Sequence, residues 1–202
     1  MEHRVLILSA AIVAGFALQS RAQDRWDGYY AGISLDAKHT QGSVGGNANH
    51  TYTDKTALVG LYAGRNFVSS SGFVWGPEIS LAPFDLSGSR TDAANGTSNI
   101  SGGVLITPKI RAGFATDKAL YYATLGYGLS DAGIKPAGAT GKDWNRGLAY
   151  GVGAEFALGE RWSTRVEFSR YDLGGRSYSF GGSSEKTNLK SDVITLGISR
   201  KF

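Results

Sequence analysis

The last ten residues of the chain restrict its fold more than any other segment. They read Val-Ile-Thr-Leu-Gly-Ile-Ser-Arg-Lys-Phe over 193–202. Apolar side chains recur at every second position and the run ends on an aromatic residue: Ile194, Leu196, Ile198 and Phe202. This alternation is typical of a strand in the wall of a membrane barrel, which is apolar toward lipid and polar toward the lumen. Backbone groups find no water in a bilayer, so only helices and closed barrels can span it.

The amino terminus predicts export. A weakly basic start precedes the apolar run Val5–Leu18, which is too short for a membrane-spanning helix. Ser20 and Ala22 then supply small residues at the positions that a signal peptidase recognises. We therefore expect a cleaved signal peptide over residues 1–22 and one mature domain over residues 23–202.

Composition narrows the possible functions. The chain has 29 glycines and no cysteine, so an exported form cannot rely on disulfides and must be stabilised by backbone pairing and packing. Removal of Glu2, Arg4 and Arg21 with the signal peptide changes the net charge from +4 to +3. The remaining charges are interspersed, so we expect no nucleic-acid surface.

The rest of the chain divides into eight extended stretches near the length of a tilted transmembrane strand. They are Asp27–Lys38, Ala57–Val68, Phe73–Asp85, Gly103–Ala115, Ala119–Ser130, Trp144–Leu158, Trp162–Leu173 and Leu189–Phe202. Their connections alternate between tight turns and long segments rich in Gly, Ser, Asn and Thr, whose composition suggests mobility. The tight turns are Ser69–Gly72, Thr116–Lys118 and Gly159–Arg161, and the long segments are roughly His39–Thr56, Leu86–Gly102, Asp131–Asp143 and Asp172–Asn188.

Short turns at one end and long loops at the other are typical of outer-membrane barrels, whose short turns are periplasmic. The pattern predicts an all-β fold: an eight-stranded antiparallel up-and-down transmembrane barrel. Aromatic residues predicted at the short-turn end form a girdle at the membrane interface: Phe67, Phe73, Trp75, Phe114, Tyr121, Phe156, Trp162 and Phe202. The alternating apolar residues of the last strand, ending in Phe202, are interpreted as the signal for insertion.

Charged residues occupy the faces opposite the apolar ones, a few residues from the short turns. They are Glu78, Lys109, Arg111, Glu155, Arg165 and Glu167. An eight-stranded barrel leaves room only for side chains, so we expect these six to meet and neutralise one another in the lumen. Pairing about the tight turns predicts Glu155 opposite Arg165 as an ion pair, and Tyr62 opposite Glu78. An ion path or a catalytic cluster is the alternative interpretation of these charges.

Four sequence blocks carry a resemblance to a known family. They are Trp26-Asp-Gly-Tyr-Tyr-Ala-Gly-Ile, Gly60-Leu-Tyr-Ala-Gly-Arg-Asn-Phe67, Gly147-Leu-Ala-Tyr-Gly-Val-Gly-Ala-Glu155 and Trp162-Ser-Thr-Arg-Val-Glu-Phe-Ser-Arg-Tyr171. In this order they resemble the alphaproteobacterial porin-family, or opacity-type, small outer-membrane proteins of the outer membrane protein A-like barrel superfamily. Arg200 departs from the family, which usually has an aromatic residue at the third position from the end. The resemblance implies a structural and surface role.

Other functions are less well supported. A lipid-modifying enzyme of the deacylase type needs a histidine that activates a serine. The mature chain has only His39 and His50, in or beside the first long segment, and no His-x-Ser sequence. We predict no catalytic, cofactor or metal residues. The alternatives are a small-solute porin, a lipid-modifying enzyme and a lipocalin-like carrier, which would need an apolar lumen.

The expected partners follow from the predicted location in the outer membrane. They are outer-membrane lipids including lipopolysaccharide, and the barrel-assembly machinery during insertion. A host or surface ligand would bind through the long loops.

Overall fold

Strands form nearly all of the described chain. The computed structural model describes residues 25–45, 50–84, 88–92, 96–101, 103–130, 133–135, 145–180 and 183–202. Within these residues there are eleven strands: β1 (Gly28–Gly45), β2 (His50–Val68), β3 (Phe73–Phe84), β4 (Gly88–Asp92), β5 (Gly96–Ser101), β6 (Gly103–Ala115), β7 (Ala119–Ser130), β8 (Gly133–Lys135), β9 (Asn145–Ala157), β10 (Trp162–Phe180) and β11 (Ser183–Lys201). The predicted bounds of β6 and β7 are correct to the residue.

Eight of these strands close into an antiparallel barrel in the order β1-β11-β10-β9-β7-β6-β3-β2. The first strand pairs with the last, which places Ile33 opposite Ile198 and leaves no open sheet edge. Each remaining neighbour in the barrel is the next long strand of the chain, as an up-and-down barrel requires. The predicted fold class is therefore confirmed.

The tight turns set the strand registers. Around the turn at 159–161, Phe156 lies opposite Thr164 and Glu155 opposite Arg165, as predicted. The register predicted for β2 and β3 is wrong by two residues, because Gly64 rather than Tyr62 lies opposite Glu78. Here Ser69 N–H donates to the Phe73 carbonyl (2.9 Å), which leaves a loop of only three residues ending in Gly72.

Gly72 explains this tighter loop. Its φ of 80° lies in the left-handed region that glycine adopts without strain. A three-residue hairpin loop commonly ends in such a residue. The shift is an even number of residues, so every side chain of β2 and β3 still points to the predicted face.

The two faces of the wall differ sharply. Large apolar side chains on the outer face are exposed, including Phe114 (64%), Val152 (60%) and Ile33 (54%), whereas the intervening side chains are buried in the lumen. Two aromatic pairs lie at the short-turn end: Phe67 stacks on Trp75 with ring centres 4.7 Å apart, and Phe73 meets Phe114 edge-on at 5.5 Å. A water-soluble barrel would have the opposite polarity.

The long-loop end contains more strand than expected. Pairing of β1 with β2 continues to Val44 and His50, and pairing of β10 with β11 continues to Phe180 and Ser183. The short strands β4, β5 and β8 form a separate antiparallel sheet. A ladder satisfies backbone groups whatever the side chains are, so these polar, glycine-rich segments can extend the hairpins.

Two further points concern membrane-spanning helices and the predicted signal peptide. No helix in the described part of the chain is both long and apolar enough to cross a bilayer. The predicted signal peptide, residues 1–22, lies outside the described residues.

Candidate functional site

A layer of charged side chains fills the middle of the lumen. Its members come from β3, β6, β9 and β10: Glu78, Lys109, Arg111, Glu155, Arg165 and Glu167. None of these side chains is more than 6% exposed. Three acids balance three bases, so the layer is formally neutral. We call it the charged layer.

Glu78 is the centre of the charged layer. Its Oε2 lies 2.7 Å from Arg165 Nη1 and its Oε1 lies 3.1 Å from Lys109 Nζ. Arg111 Nη1 lies 3.6 Å from Oε2, and the Tyr30 hydroxyl donates a hydrogen bond of 2.7 Å to the same oxygen. A buried carboxylate persists when it is paired and hydrogen-bonded, and Glu78 meets both conditions.

The two other acids join this centre through shared bases. Glu167 accepts hydrogen bonds from Lys109 Nζ (2.6 Å) and from the Tyr122 hydroxyl (2.9 Å). Glu155 accepts from Arg111 Nη1 (2.9 Å). Lys109 and Arg111 each contact Glu78 as well. The six side chains therefore form one continuous network.

The expected ion pair between Glu155 and Arg165 does not form, although the two residues are opposite each other on β9 and β10. Glu155 pairs with Arg111 instead, and Arg165 pairs with Glu78 on β3. The Arg165 guanidinium also lies 3.4 Å from the centre of the Tyr62 ring. A long side chain in a narrow lumen can reach strands beyond its neighbour, and Arg165 finds two partners there.

Tyr30, Tyr62 and Tyr122 line the charged layer, and sequence reasoning placed only Tyr62 there. The Arg111 guanidinium lies between Tyr30 (4.5 Å) and Tyr122 (4.9 Å), a favourable position for a cation over aromatic rings. Lumen-facing glycines make room for these rings: a Cβ on Gly153 would lie 2.6 Å from Tyr122 Cζ. These tyrosines alternate with outward-facing residues along their strands. This two-residue period is the sequence signal that could have identified them as facing the lumen.

An apolar layer closes the lumen at the short-turn end. Trp26 lies just before β1 and is 4% exposed. It packs in a cluster with Val74, Leu120 and Tyr122. The Trp26 indole N–H donates to the Thr116 carbonyl (2.8 Å), and Asn66 Nδ2 donates to the Trp26 carbonyl (3.0 Å). Trp26 opens the first of the four sequence blocks that carry the family resemblance. It closes the lumen because the segment before β1 folds back into the barrel, and the block alone does not predict that contact.

The lumen on the long-loop side of the charged layer is mixed in character. Leu105, Tyr171, Leu173 and Val193 form an apolar cluster there with Ala149. Across the lumen, β1 contributes buried polar residues, including Asp36, which accepts a hydrogen bond from the Thr195 hydroxyl (2.7 Å). The charged layer is thus enclosed from both ends, and water has little access to its ion pairs.

Among the described side chains, the outer face carries one histidine, His39. His39 lies opposite Asp192 there, and Asp192 is held by Arg170. The nearby hydroxyls of Ser169 and Ser191 are buried on the lumen side, so neither is placed to be activated by this histidine. Among the described residues, no group of three or more histidines or carboxylates could hold a metal ion. The side chain of His50 lies outside the described residues.

Comparison with known proteins agrees with this architecture. The chain matches the family described as "Outer membrane protein beta-barrel domain" over residues 8–202. It is 25% identical to the 31 kDa outer-membrane immunogenic protein of Brucella melitensis, over 97% of this chain and 99% of that protein. It is 24% identical to the 22 kDa outer membrane protein of Rhizobium leguminosarum bv. viciae, over 88% of this chain and 78% of that protein.

Solved structures share the fold. OprG from Pseudomonas aeruginosa matches with a TM-score of 0.63 and 17% identity, over 89% of this chain and 98% of that one. Neisserial surface protein A matches with a TM-score of 0.54 and 14% identity, over 86% of this chain and 97% of that one. The family match covers nearly the whole chain, and the barrel has the polarity that lipid requires. The chain therefore belongs to the outer-membrane β-barrel protein family and is an integral protein of the outer membrane.

Proposed function

We propose that this protein has a structural and surface role in the outer membrane and is not a large diffusion pore. The barrel anchors the chain in the envelope, and its long-loop end faces the outside. The observation that carries the proposal is the closed lumen. Trp26 fills the short-turn end, and the charged layer fills the middle with side chains that are almost completely buried. Water-filled channels belong to barrels of about 16–18 strands, twice the number found here.

Conductance in planar bilayers tests this proposal. Purified, refolded protein should give no large, steady current, because the buried side chains of the charged layer fill the middle of the lumen. The test variant replaces Glu78, Lys109 and Arg111 with serine. These substitutions shorten three side chains in the lumen without altering the outer face. If this variant inserts and conducts while the natural protein does not, the charged layer is the barrier. A large, stable, ohmic current from the natural protein would instead support the small-solute porin.

The two remaining alternatives predict different behaviour. A lipocalin-like carrier would leave the membrane fraction with aqueous buffer, whereas an integral barrel stays with the membrane and changes its gel migration on heating. A lipid-modifying enzyme would change the acyl chains of lipopolysaccharide when the gene is expressed. Among the described residues, Ser169 and Ser191 near His39 are buried in the lumen, which supports a non-enzymatic protein.

We propose that the last strand carries the insertion signal that the barrel-assembly machinery reads. Ile194, Leu196 and Ile198 point outward, and Phe202 is 73% exposed at the end of the chain. Deletion of Phe202 should lower the amount of assembled barrel and leave unfolded chain in the periplasm. Lys201→Gln is the matched control, because it alters the adjacent position and keeps the terminal aromatic. Unchanged assembly after the deletion would exclude Phe202 from the signal.

We further propose that the mature protein begins at Gln23, after removal of a signal peptide, which amino-terminal sequencing of the membrane-inserted form can check.

The long-loop end of the protein is the part available to lipopolysaccharide and to a host or surface ligand. Binding of intact cells with and without the gene to candidate surfaces tests that contact. Equal binding by both strains would argue against a surface ligand and would support a role in the envelope alone.

A further inference from the structure

A groove crosses the outer face of the barrel from β2 to β7. Its floor consists of Ala63, Pro77, Pro108 and the backbone of Gly64 and Gly126, and Glu78 and Lys109 of the charged layer also line it. Tyr29 and Phe202 border one end of the groove, and Leu125 and Tyr127 border the other. The family match and the closed lumen do not account for this groove.

The two prolines lie at interruptions of the strand ladders. Pairing of β2 with β3 skips the residues between Gly64–Glu78 and Phe67–Trp75, beside Pro77. Pairing of β6 with β7 skips those between Ile106–Leu129 and Lys109–Gly126, beside Pro108. Proline has no N–H to give to a ladder, so it is unfavourable in the middle of a sheet. Two prolines on adjacent strands therefore build a lasting depression in the wall.

Arg65 lies at one end of this groove, on the lipid-facing side of β2. Its guanidinium lies between the rings of Tyr29 (4.8 Å) and Phe67 (4.6 Å), and its Nη1 donates to the Tyr29 hydroxyl (3.2 Å). Its Nε is buried and has no hydrogen-bond acceptor. Among the described side chains, no carboxylate forms an ion pair with Arg65. The two aromatic rings thus hold the Arg65 guanidinium in place, and it keeps N–H groups that can donate to a ligand.

The groove rises from the membrane interface toward the bilayer interior. Arg65 is four residues from Ser69 at the short-turn end and lies among the aromatic residues of the girdle. Leu125 and Tyr127 are six and eight residues from Ala119, where β7 begins at the same end. One end of the groove therefore offers a cation at headgroup height, and the rest offers an apolar path at the height of acyl chains. Arg200, exposed near Phe202, adds a second positive charge at this end.

We propose that this groove binds an anionic glycerophospholipid from the inner leaflet of the outer membrane. The phosphate accepts hydrogen bonds from the Arg65 guanidinium, and an acyl chain lies over Pro77, Pro108 and Gly126. Arginine suits a phosphate because its planar fork can donate two parallel hydrogen bonds. A headgroup without an ammonium group fits best, since Arg65 lines one end of the groove and Arg200 lies close to it. The acidic residue that lines the groove, Glu78, is already paired with Arg165 and Lys109 in the lumen.

Native mass spectrometry of the purified barrel tests the proposal with dioleoyl phosphatidylglycerol and dioleoyl phosphatidylcholine at equal concentrations. We expect one phosphatidylglycerol to be retained per barrel in preference to phosphatidylcholine. Arg65→Gln should weaken its binding about tenfold, the effect of losing one charge-assisted hydrogen bond. Ala63→Phe, an exposed outward position, should displace the lipid by filling the groove while every charge is kept.

Arg161→Gln is the matched control, because it removes one positive charge from an exposed turn at the same end, outside the groove. It should leave phosphatidylglycerol binding unchanged, and heat-modifiable migration shows that each variant is folded. Equal retention of both lipids would overturn the proposal, as would a loss in Arg161→Gln equal to that in Arg65→Gln. A dimer that Ala63→Phe dissociates would assign the groove to a second copy of the chain. If Arg65→Gln fails to fold, the Ala63→Phe result and the lipid preference still decide.

Discussion

Two sets of ion pairs in this barrel use the same chemical groups in opposite surroundings. Arg170 and Asp192 are ladder opposites on the outer face, joined by two hydrogen bonds of 2.6 and 2.8 Å. Their side chains are 44% and 33% exposed, whereas Glu78 at the centre of the charged layer is completely buried. Just below this outer pair, toward the short turns, lie the outward apolar residues Phe168 and Ile194. The outer pair thus marks where the apolar band ends, and the charged layer closes the lumen.

This comparison shows that the surroundings of an ion pair decide how much it contributes to the stability of the barrel. Solvent and salt screen exposed charges, and water can replace a lost partner. A charge inside the lumen has no such replacement, so removing its partner leaves it buried and uncompensated. The four predictions below test this contrast by the effects of substitutions on unfolding in detergent, in order of decreasing expected effect.

Glu78→Gln should destabilise the barrel most. The amide keeps the size of the side chain but removes the negative charge that Arg165, Lys109 and Arg111 share. Breaking a buried pair in this way costs about 3–5 kcal/mol. The measurement is the midpoint of thermal or urea unfolding, followed by heat-modifiable migration. A midpoint equal to that of the natural protein would show that the lumen is hydrated enough to screen its charges.

Trp26→Ala should have the next largest effect. The substitution removes the aromatic side chain that closes the short-turn end, together with its hydrogen bond to Thr116. Truncation of a buried aromatic residue costs about 3 kcal/mol. It also opens the charged layer to water from below, so the unfolding midpoint of this variant should become more sensitive to salt. Trp162→Ala is the matched control, because Trp162 is an exposed girdle residue on the outer face.

Double-mutant cycles should separate the contacts across the lumen from those along the ladder. Glu155→Gln with Arg111→Gln should show a coupling of about 1–3 kcal/mol, since these side chains are hydrogen-bonded. Glu155→Gln with Arg165→Gln should show a smaller coupling, because Arg165 binds Glu78 and is linked to Glu155 through Glu78 and Arg111. The reverse order of the two couplings would mean that ladder neighbours pair after all.

Arg170→Gln should have the smallest effect, although its pair with Asp192 has good geometry. The midpoint should change little in low salt and not at all in high salt, because both side chains reach solvent. A loss as large as that of Glu78→Gln would contradict the contrast between the two environments. In that case the outer pair would have to be shielded from water by the surrounding detergent.

Two of the three tight turns show how far local reasoning reaches. For β9 and β10, centring the hairpin on residues 159–161 predicts the observed register. For β2 and β3, the same reasoning is wrong by two residues, because Gly72 permits a shorter loop. Loop length depends on the backbone conformation of single residues, which a pattern of polar and apolar side chains does not contain.

The long segments show a second limit. Their Gly, Ser, Asn and Thr content indicates loops, yet β1, β2, β10 and β11 continue into them, and β4, β5 and β8 lie entirely within them. Composition reports how much apolar surface a segment can bury. It does not report whether a neighbouring hairpin already supplies a ladder to extend.

The sequence by itself determined the barrel, its polarity and the side of the wall on which each charge lies. These properties depend on the two-residue period of a strand and on the spacing of turns, which are local. Only the tertiary structure decided that Arg165 binds Glu78, that Arg111 binds Glu155 and that Trp26 closes the lumen. Those contacts join strands that are not neighbours in the wall. The diameter of the closed barrel and the stagger of its strands set which side chains meet across it, and neither appears in any single segment of the sequence.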